Sequence, residues 1–242
     1  MKEKIRTIPD LYFVIFTQFI DQSRLTAEVH VWYAEVREEV SSRGSLSRDE
    51  WAHGMRFHRA CDRNEYLGTR LTLRRLLAAY LKCGPEQVSF QLGEFGKPFL
   101  LEGSRFFFNV SHSGGCAALA FSRCGEVGVD LEKRSSSLDC LELSRQFFAA
   151  QERVMIEDAF AEKRRELFYQ FWVRKEAYLK AKGTGLQDSL DTFEMTSPRQ
   201  LEDWFVSDLK VCPADYSGAL ASPVEARVIE QWLPAVKFAA AI

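Results

Sequence analysis

The chain has 242 residues, of which 46% are hydrophobic and 27% are charged, so it has enough apolar material for one large or two smaller globular domains. Its 32 basic and 34 acidic side chains give a formal net charge of -2, which excludes the broad basic surface typical of nucleic-acid-binding proteins. We expect no nucleic-acid partner, and any phosphate site must use a local cluster of basic residues.

The cysteines and the N-terminal residues bear on the compartment. None of the six cysteines forms a Cys-x-x-Cys pair, so we predict reduced thiols and a cytoplasmic protein, with disulfides as the alternative. The apolar run at 11–20 has about half of the ~20 residues of a membrane-spanning helix. Basic residues precede this run, as in a secretory signal, but no small-residue cleavage site follows. We predict an N-terminal extension over 1–27 and no membrane association.

The first half of the remaining chain predicts one helix among strands. The β-rich run at 30–36 predicts a strand. Leucine spacing from Asp62 to Lys82 predicts a helix that is capped by Asp62 and ends before a Gly-Pro pair. The segments at 106–110 and 116–122 predict a hairpin that turns at Gly114 and Gly115.

The second half predicts a short strand, a helical region and further strands. The strand is at 127–132, and the helical region covers 139–182 and ends at Gly183, a typical C-terminal cap. Strand-like pieces follow at 203–211, 224–232 and 235–242. This order indicates an α+β protein whose chain divides near Gly125 into an N-terminal subdomain (28–125) and a C-terminal subdomain (126–242).

The segment GVDLE (128–132) carries two acids at alternate positions. On a strand, Val129 and Leu131 face the core while Asp130 and Glu132 share the other face, with Cα atoms ~6.6 Å apart. Two carboxylates at that spacing can converge on a divalent cation such as Mg²⁺. The alternative is an edge strand with solvated acids.

The segment WVRKEAYLK (172–180) carries an acid and a base on one helix face. Glu176 and Lys180 are four residues apart, and Trp172 lies four residues before Glu176. Partial burial of this stripe would make the pair functional; the alternative is an ordinary surface ion pair.

The segment NVSHSGG (109–115) ends a strand in small polar residues and two glycines. Such a turn can present amides, hydroxyls and an imidazole to an anion. Ser111 and His112 point to opposite faces of a strand, which argues against a Ser-His nucleophile. A plain polar turn is the alternative. Together, the three segments supply the parts that phosphoryl transfer needs.

At these residues the sequence resembles the surfactin-type 4'-phosphopantetheinyl transferases. That family carries Asn/Asp-x-Ser-His-Ser-x-Gly, then Gly-x-Asp-x-Glu, then Trp-x-x-Lys-Glu-Ala-x-x-Lys with a glycine-rich end. Here the motifs read NVSHSGG, GVDLE and WVRKEAYLKAKGTGL, in the family's order and spacing. The resemblance covers roughly 28–242 and implies a pseudo-twofold pair of similar subdomains with mostly antiparallel sheets.

The resemblance also implies roles for individual residues. Asp130, Glu132 and Glu176 would bind magnesium, and Asp130, Glu176 and Lys180 would be catalytic. Glu176 is the candidate general base, acting directly or through a water. The residues implied to bind coenzyme A are Ser111 and His112 at its 3'-phosphate, Lys97 with Pro98, Lys180, and less strongly Lys175.

The sequence departs from the family at one basic position. Members often carry Asp-Arg-x-Arg on the first helix, near the 3'-phosphate, whereas this chain has Glu65 as the fourth residue of that run. An anion there repels phosphate, so Arg63 or Arg70 would have to substitute.

The implied reaction transfers 4'-phosphopantetheine from coenzyme A to a serine of an apo acyl or peptidyl carrier protein, releasing 3',5'-ADP. The implied context is fatty-acid, polyketide or nonribosomal-peptide biosynthesis, and the two internal halves favour a monomer. Two alternatives stay open: another magnesium enzyme acting on a nucleotide diphosphate, and a non-catalytic module that binds coenzyme A or a carrier.

Overall fold

The computed structural model describes residues 28–94, 96–100, 105–184 and 189–233, and within these ranges it has five α-helices and ten strands. The helices are α1 (Arg48–Gly54), α2 (Ala60–Leu81), α3 (Cys140–Phe147), α4 (Ala150–Glu157) and α5 (Ala161–Lys182). The strands are β1 (Glu28–Glu35), β2 (Phe90–Leu92), β3 (Pro98–Leu100), β4 (Phe107–Ser113), β5 (Cys116–Ser122), β6 (Gly128–Lys133), β7 (Arg199–Leu201), β8 (Trp204–Asp208), β9 (Tyr216–Ser222) and β10 (Arg227–Trp232). The predicted α+β class is confirmed.

The strands form two four-stranded sheets and one hairpin. The first sheet has the order β10-β1-β5-β4, the second has the order β6-β9-β8-β7, and β2 pairs with β3. All pairs are antiparallel except β1 with β10, which is parallel. Strand β10 therefore belongs to the first sheet, although the division at Gly125 assigned it to the C-terminal subdomain.

Strand β1 lies in the interior of the first sheet and is buried on both faces, because a hydrophobic core packs on each side of it. Val29, Val31 and Tyr33 pack toward β6 and β9 of the second sheet, in a core shared by the two sheets. The alternate residues Trp32 and Ala34 pack on the other side, with leucines of α2. This sharing of one strand between two cores fixes the first sheet relative to the second.

Helix α2 begins earlier than the sequence predicted. Its N-cap is Arg59, which makes no side-chain capping hydrogen bond, and Asp62 lies in the first turn, where an acid interacts favourably with the helix dipole. The prediction that Asp62 caps the helix is wrong. The helix ends at Lys82, whose φ of 56° is left-handed.

The predicted helical region over 139–182 is divided into three helices. The backbone is extended at Phe148, after α3, and again at Phe160, before α5. The predicted end of α5 at Gly183 is confirmed, since this residue is the C-cap and has a φ of 74°. Val173, Ala177 and Ala181 of α5 pack on the small residues Ala219 and Ala221 of β9.

Four strands were not predicted. β9 is an interior strand of the second sheet, but apart from Tyr216 its sequence YSGALAS has none of the β-branched and aromatic residues typical of strands. The hairpin of β2 and β3 and the edge strand β7 are only three residues each. The predicted extension over 1–27 and the predicted strand at 235–242 lie outside the described residues.

Two further sequence predictions concern the cysteines and the membrane. All six cysteines are free thiols, which confirms the prediction that they do not form disulfides. Within the described ranges, no helix has the length and apolar character needed to span a membrane.

Candidate active site

The site lies where the edge strands of the two sheets meet, and side chains join these strands. Asn109, Ser111 and Ser113 alternate along β4, so they share one face. Their side-chain oxygens accept the backbone N–H groups of Val129 (2.9 Å), Leu131 (3.2 Å) and Lys133 (3.2 Å) in β6. These contacts satisfy three amides of an edge strand that would otherwise lack acceptors.

Gly128 lets helix α5 lie directly on β6. A Cβ atom at this position would lie 2.0 Å from the carbonyl oxygen of Ala177 and 2.3 Å from the amide of Ala181. Only glycine fits such a close approach of backbone to backbone. The helix therefore brings Glu176 and Lys180, one turn apart, next to the acids of β6.

Asp130 is the centre of a hydrogen-bonded group. It is 2% exposed, and its Oδ1 lies 2.6 Å from Lys180 Nζ and accepts a hydrogen bond from Ser111 Oγ at 2.9 Å. Lys180 Nζ also lies 3.1 Å from Ser111 Oγ. The prediction that Asp130 and Glu132 share a strand, and that Glu176 and Lys180 share a helix, is confirmed, and the two elements are in contact.

The neighbouring glutamates are held in a partly buried, negatively charged surrounding. Burial, and then the charge of Asp130, raise the pKa of Glu132 to about 7, although Ser113 donates a hydrogen bond to it at 2.7 Å. Burial, and then Asp130, also raise the pKa of Glu176, and Lys180 opposes this shift. Asp130, Glu132 and Glu176 thus share a site with Lys180. Because three carboxylates face one ammonium there, the site favours a bound cation.

The described residues include no three Asp, Glu, His or Cys side chains already arranged around a metal position. However, Asp130 Oδ2 is buried and has no hydrogen-bond partner. Leaving a buried acceptor unpaired costs about 1–3 kcal/mol, so a cation at this oxygen would relieve a defect of the site. Carboxylate oxygens are the ligands that Mg²⁺ prefers, so Asp130, Glu132 and Glu176 fit such an ion. Their role as ligands stays a prediction.

Ser111 lies on β4, on the face opposite His112, as the sequence predicted. Its hydroxyl donates to Asp130, accepts from the Leu131 amide and lies beside Lys180, so its one donor and two acceptor positions are used. Ser111 therefore orients Asp130, and its predicted contact with the 3'-phosphate stays a prediction. His112 points to the opposite side of β4 and contacts Glu65 of α2.

Lys175 is a structural residue rather than a phosphate ligand. Its side chain is fully buried and pairs at 2.8 Å with Glu152 of α4, which is also fully buried. The ammonium also donates to the carbonyl oxygens of Leu190 and Phe193, so its three hydrogens are used. The sequence prediction that Lys175 contacts phosphate is corrected, because no hydrogen remains for a ligand.

Lys97 and Pro98 line a cavity of about 320 Å³ together with Phe106, Glu126 and Gly183. Ala181, the residue after Lys180 at the end of α5, also lines this cavity. Lys97 Nζ pairs with Glu126 at 2.6 Å and lies 3.2 Å from the carbonyl oxygen of Ala181. Its predicted contact with a nucleotide phosphate requires it to leave Glu126, and it stays a prediction.

Arg63 and Arg70 were expected to replace the basic residue that the family has at the position of Glu65. Arg70 is already paired with an acid. It pairs with Glu50 at 2.8 Å and lies over the Phe90 ring, 4.7 Å from its centroid. Arg63 is two residues from Glu65, and residues at that spacing leave a helix on different faces. Arg63 is thus not on the face of α2 that contacts His112, and its phosphate contact stays a prediction.

Comparison with known proteins assigns the chain to a family. Residues 126–219 match the family described as the 4'-phosphopantetheinyl transferase superfamily, and residues 31–124 match the family described as 4'-phosphopantetheinyl transferase, N-terminal. The chain belongs to the 4'-phosphopantetheinyl transferase superfamily, and we class it as a transferase.

The similar proteins carry the same enzyme name. The chain is 34% identical over 191 residues to 4'-phosphopantetheinyl transferase HetI of Nostoc sp., covering 74% of this chain and 79% of that protein. It is 44% identical over 148 residues to a putative 4'-phosphopantetheinyl transferase of Synechocystis sp., a match that spans 60% of each protein. The surfactin-type resemblance is more distant: 4'-phosphopantetheinyl transferase Sfp of Bacillus subtilis is 28% identical over 140 residues, covering 58% of this chain and 61% of Sfp.

Proposed function

We propose that the protein transfers the 4'-phosphopantetheine group of coenzyme A to a serine of an apo acyl or peptidyl carrier protein and releases 3',5'-ADP. The observation that carries this proposal is the group of three carboxylates and one lysine at the junction of β6 and α5. Family membership supports the reaction class, and the charge of this group supports a diphosphate substrate bound with a cation.

In this reaction the serine oxygen forms a bond to the β-phosphorus of coenzyme A, and the bond from that phosphorus to the bridging oxygen breaks. The serine proton passes to Glu176, directly or through one water. In the metal-free site burial raises the pKa of Glu176, whereas a cation bound to its carboxylate would lower it, so the direct route and the route through a water carry equal weight.

Lys180 supports the departure of 3',5'-ADP. Its ammonium is fixed by Asp130 and Ser111 before substrate binds, so little reorganisation is needed when negative charge develops on the leaving oxygen. Ser111 in turn fixes Asp130, since its hydroxyl also accepts the Leu131 amide of β6.

The cofactor we propose is Mg²⁺, held by Asp130, Glu132 and Glu176. When bound, it would neutralise diphosphate charge and act as a Lewis acid. The buried, unpaired Asp130 Oδ2 supports this assignment. We also propose that the protein acts as a cytoplasmic monomer; the carrier that it modifies decides between fatty-acid, polyketide and nonribosomal-peptide biosynthesis.

The test mixes the protein, coenzyme A and Mg²⁺ with a panel of apo acyl and peptidyl carriers and reads intact masses. Asp130→Asn should reduce transfer about 10²–10³-fold while the protein stays folded, because the site loses a charge that positions Lys180 and the cation. Asp203→Asn, at an exposed acid of the β7–β8 turn, is the matched control and should transfer at the normal rate.

Two results would reject the proposal. Normal transfer by Asp130→Asn would show that the three carboxylates and the lysine of this site are not needed for the reaction. Release of free nucleotide with no mass gain on any carrier would favour a diphosphate hydrolase, and coenzyme A binding without turnover would favour a binding module.

A further inference from the structure

Glu65 occupies a pair of hydrogen-bond donors at the β4–β5 turn. Its Oε1 lies 2.8 Å from His112 Nδ1, and its Oε2 accepts the backbone N–H of Gly115 at 2.7 Å. The Glu65 side chain is 19% exposed and the His112 side chain is 39% exposed, so solvent reaches this contact. One carboxylate thus uses both donors, His112 at the end of β4 and Gly115 in the turn, which lie 47 and 50 residues away along the chain.

The turn is held in the conformation that presents these donors. Gly114 and Gly115 have φ values of 56° and 84°, which favour glycine. Arg37 Nη2 and Tyr216 Oη both donate to the Gly114 carbonyl oxygen, each at 2.9 Å. A Cβ atom at Gly115 would lie 2.2 Å from Arg37 Cγ, so the arginine stem packs closely on the turn. A fixed amide, an imidazole and a nearby guanidinium group make a built site for an anion.

The anion in this site is the protein's own carboxylate. Burial acts to raise the pKa of Glu65, but the hydrogen bonds from His112 and Gly115 outweigh it, and the pKa is lowered. Glu65 is therefore ionised at neutral pH. A phosphate monoester that uses the same two donors must displace this carboxylate or share the donors with it, and either event weakens phosphate binding.

The anion site is adjacent to the reaction site along one strand. Ser111 faces Asp130 and Lys180, whereas His112, the next residue, faces Glu65 on the other side of β4. Coenzyme A has a diphosphate, which the proposed function places at Lys180, and a separate 3'-phosphate monoester, which needs donors of its own. His112 and the Gly115 amide are suitable donors, one and four residues beyond Ser111 along the chain.

We infer that Glu65 is a specificity-determining residue: by occupying the donors of His112 and Gly115, it makes the protein bind coenzymes with and without the 3'-phosphate almost equally. This inference rests on the proposed function. Glu65 touches neither the diphosphate site nor the carboxylate group, so it sets the choice of coenzyme without taking part in the transfer step.

The test measures binding of coenzyme A and 3'-dephospho-coenzyme A by calorimetry in the presence of Mg²⁺. The wild-type protein should bind the two within about threefold, whereas Glu65→Gln should bind coenzyme A at least about tenfold more tightly than the dephospho form. Glu65→Arg should give the same direction. Asp62→Asn removes the same charge from the preceding turn of α2 and should keep the wild-type ratio.

A wild-type preference for coenzyme A above tenfold that Glu65→Gln leaves unchanged would overturn the inference. Glu65→Arg and the melting temperature of each variant separate this result from a folding defect. The carrier assay separates the two claims: failure of the inference leaves carrier modification intact, whereas failure of the proposed function leaves the carrier unmodified while both coenzymes still bind.

Discussion

The raised pKa of Glu132 predicts that the metal-free protein loses stability as its site becomes charged. Burial and Asp130 move this pKa from 4.5 to about 7. At about 1.4 kcal/mol for each tenfold change in proton affinity, ionised Glu132 destabilises the folded state by up to about 3 kcal/mol. Below pH 4.5 the carboxyl is protonated in both folded and unfolded states and contributes nothing. The penalty grows as pH rises from 4.5 and is complete above 7.

Glu132→Gln isolates this contribution, because a glutamine stays neutral and still accepts the hydrogen bond from Ser113. In EDTA, urea unfolding of the two proteins should give similar free energies near pH 5. At pH 8 the variant should be the more stable by up to about 3 kcal/mol. Glu225→Gln changes an exposed glutamate and should follow the wild-type protein at every pH.

Added Mg²⁺ provides a second comparison. It should stabilise the wild-type protein at pH 8, since a ligand that binds only the folded state raises its stability, and should stabilise Glu132→Gln less. Equal stability of wild type and Glu132→Gln at pH 8 in EDTA would refute the claim that Glu132 is held in an unfavourable charged surrounding.

Two further predictions concern residues that support the site. Lys175→Met should reduce the free energy of unfolding by about 3–5 kcal/mol, because it leaves the buried charge of Glu152 without its cation. Adding Glu152→Gln, which removes that charge and keeps an acceptor for the Met195 amide, should recover part of that loss in the same urea titration. A loss below about 1 kcal/mol would contradict a buried ion pair. Asn109→Ala should cost about 1–3 kcal/mol and speed hydrogen exchange at the Val129 amide, which loses its acceptor; unchanged exchange at that amide would contradict the link between the sheets.

The parts of the site that depend on local periodicity could be predicted from the sequence. Alternation along a strand placed Asp130 and Glu132 on one side of β6, and the 3.6-residue helical period placed Glu176 and Lys180 on one side of α5. These relations hold within a single element, so no knowledge of the tertiary structure was needed. The same is true of the glycine end of α5 and the turn between β4 and β5.

The parts that depend on contacts between distant elements could not be predicted. Ser111 was expected to contact phosphate because its polar turn suggests anion binding, but its hydroxyl is used by Asp130 and by the Leu131 amide across two sheets. Likewise, nothing next to Lys175 in sequence indicates that Glu152, on another helix, neutralises it. One signal was available: the polar residues at 109, 111 and 113 are alternate residues of one strand and so share a face. Three polar side chains on one face suggest that another strand edge lies against them.

The parallel pair of β1 and β10 has a consequence for biosynthesis. Tyr33 of β1 donates a hydrogen bond to Glu230 of β10, 197 residues later, and the two strands pair over six positions. During synthesis on the ribosome, one side of β1 therefore stays an open edge until nearly all of the described chain has emerged. A nascent chain halted before Arg227 would present that edge to other strands, so its handling by chaperones should differ from that of the completed protein.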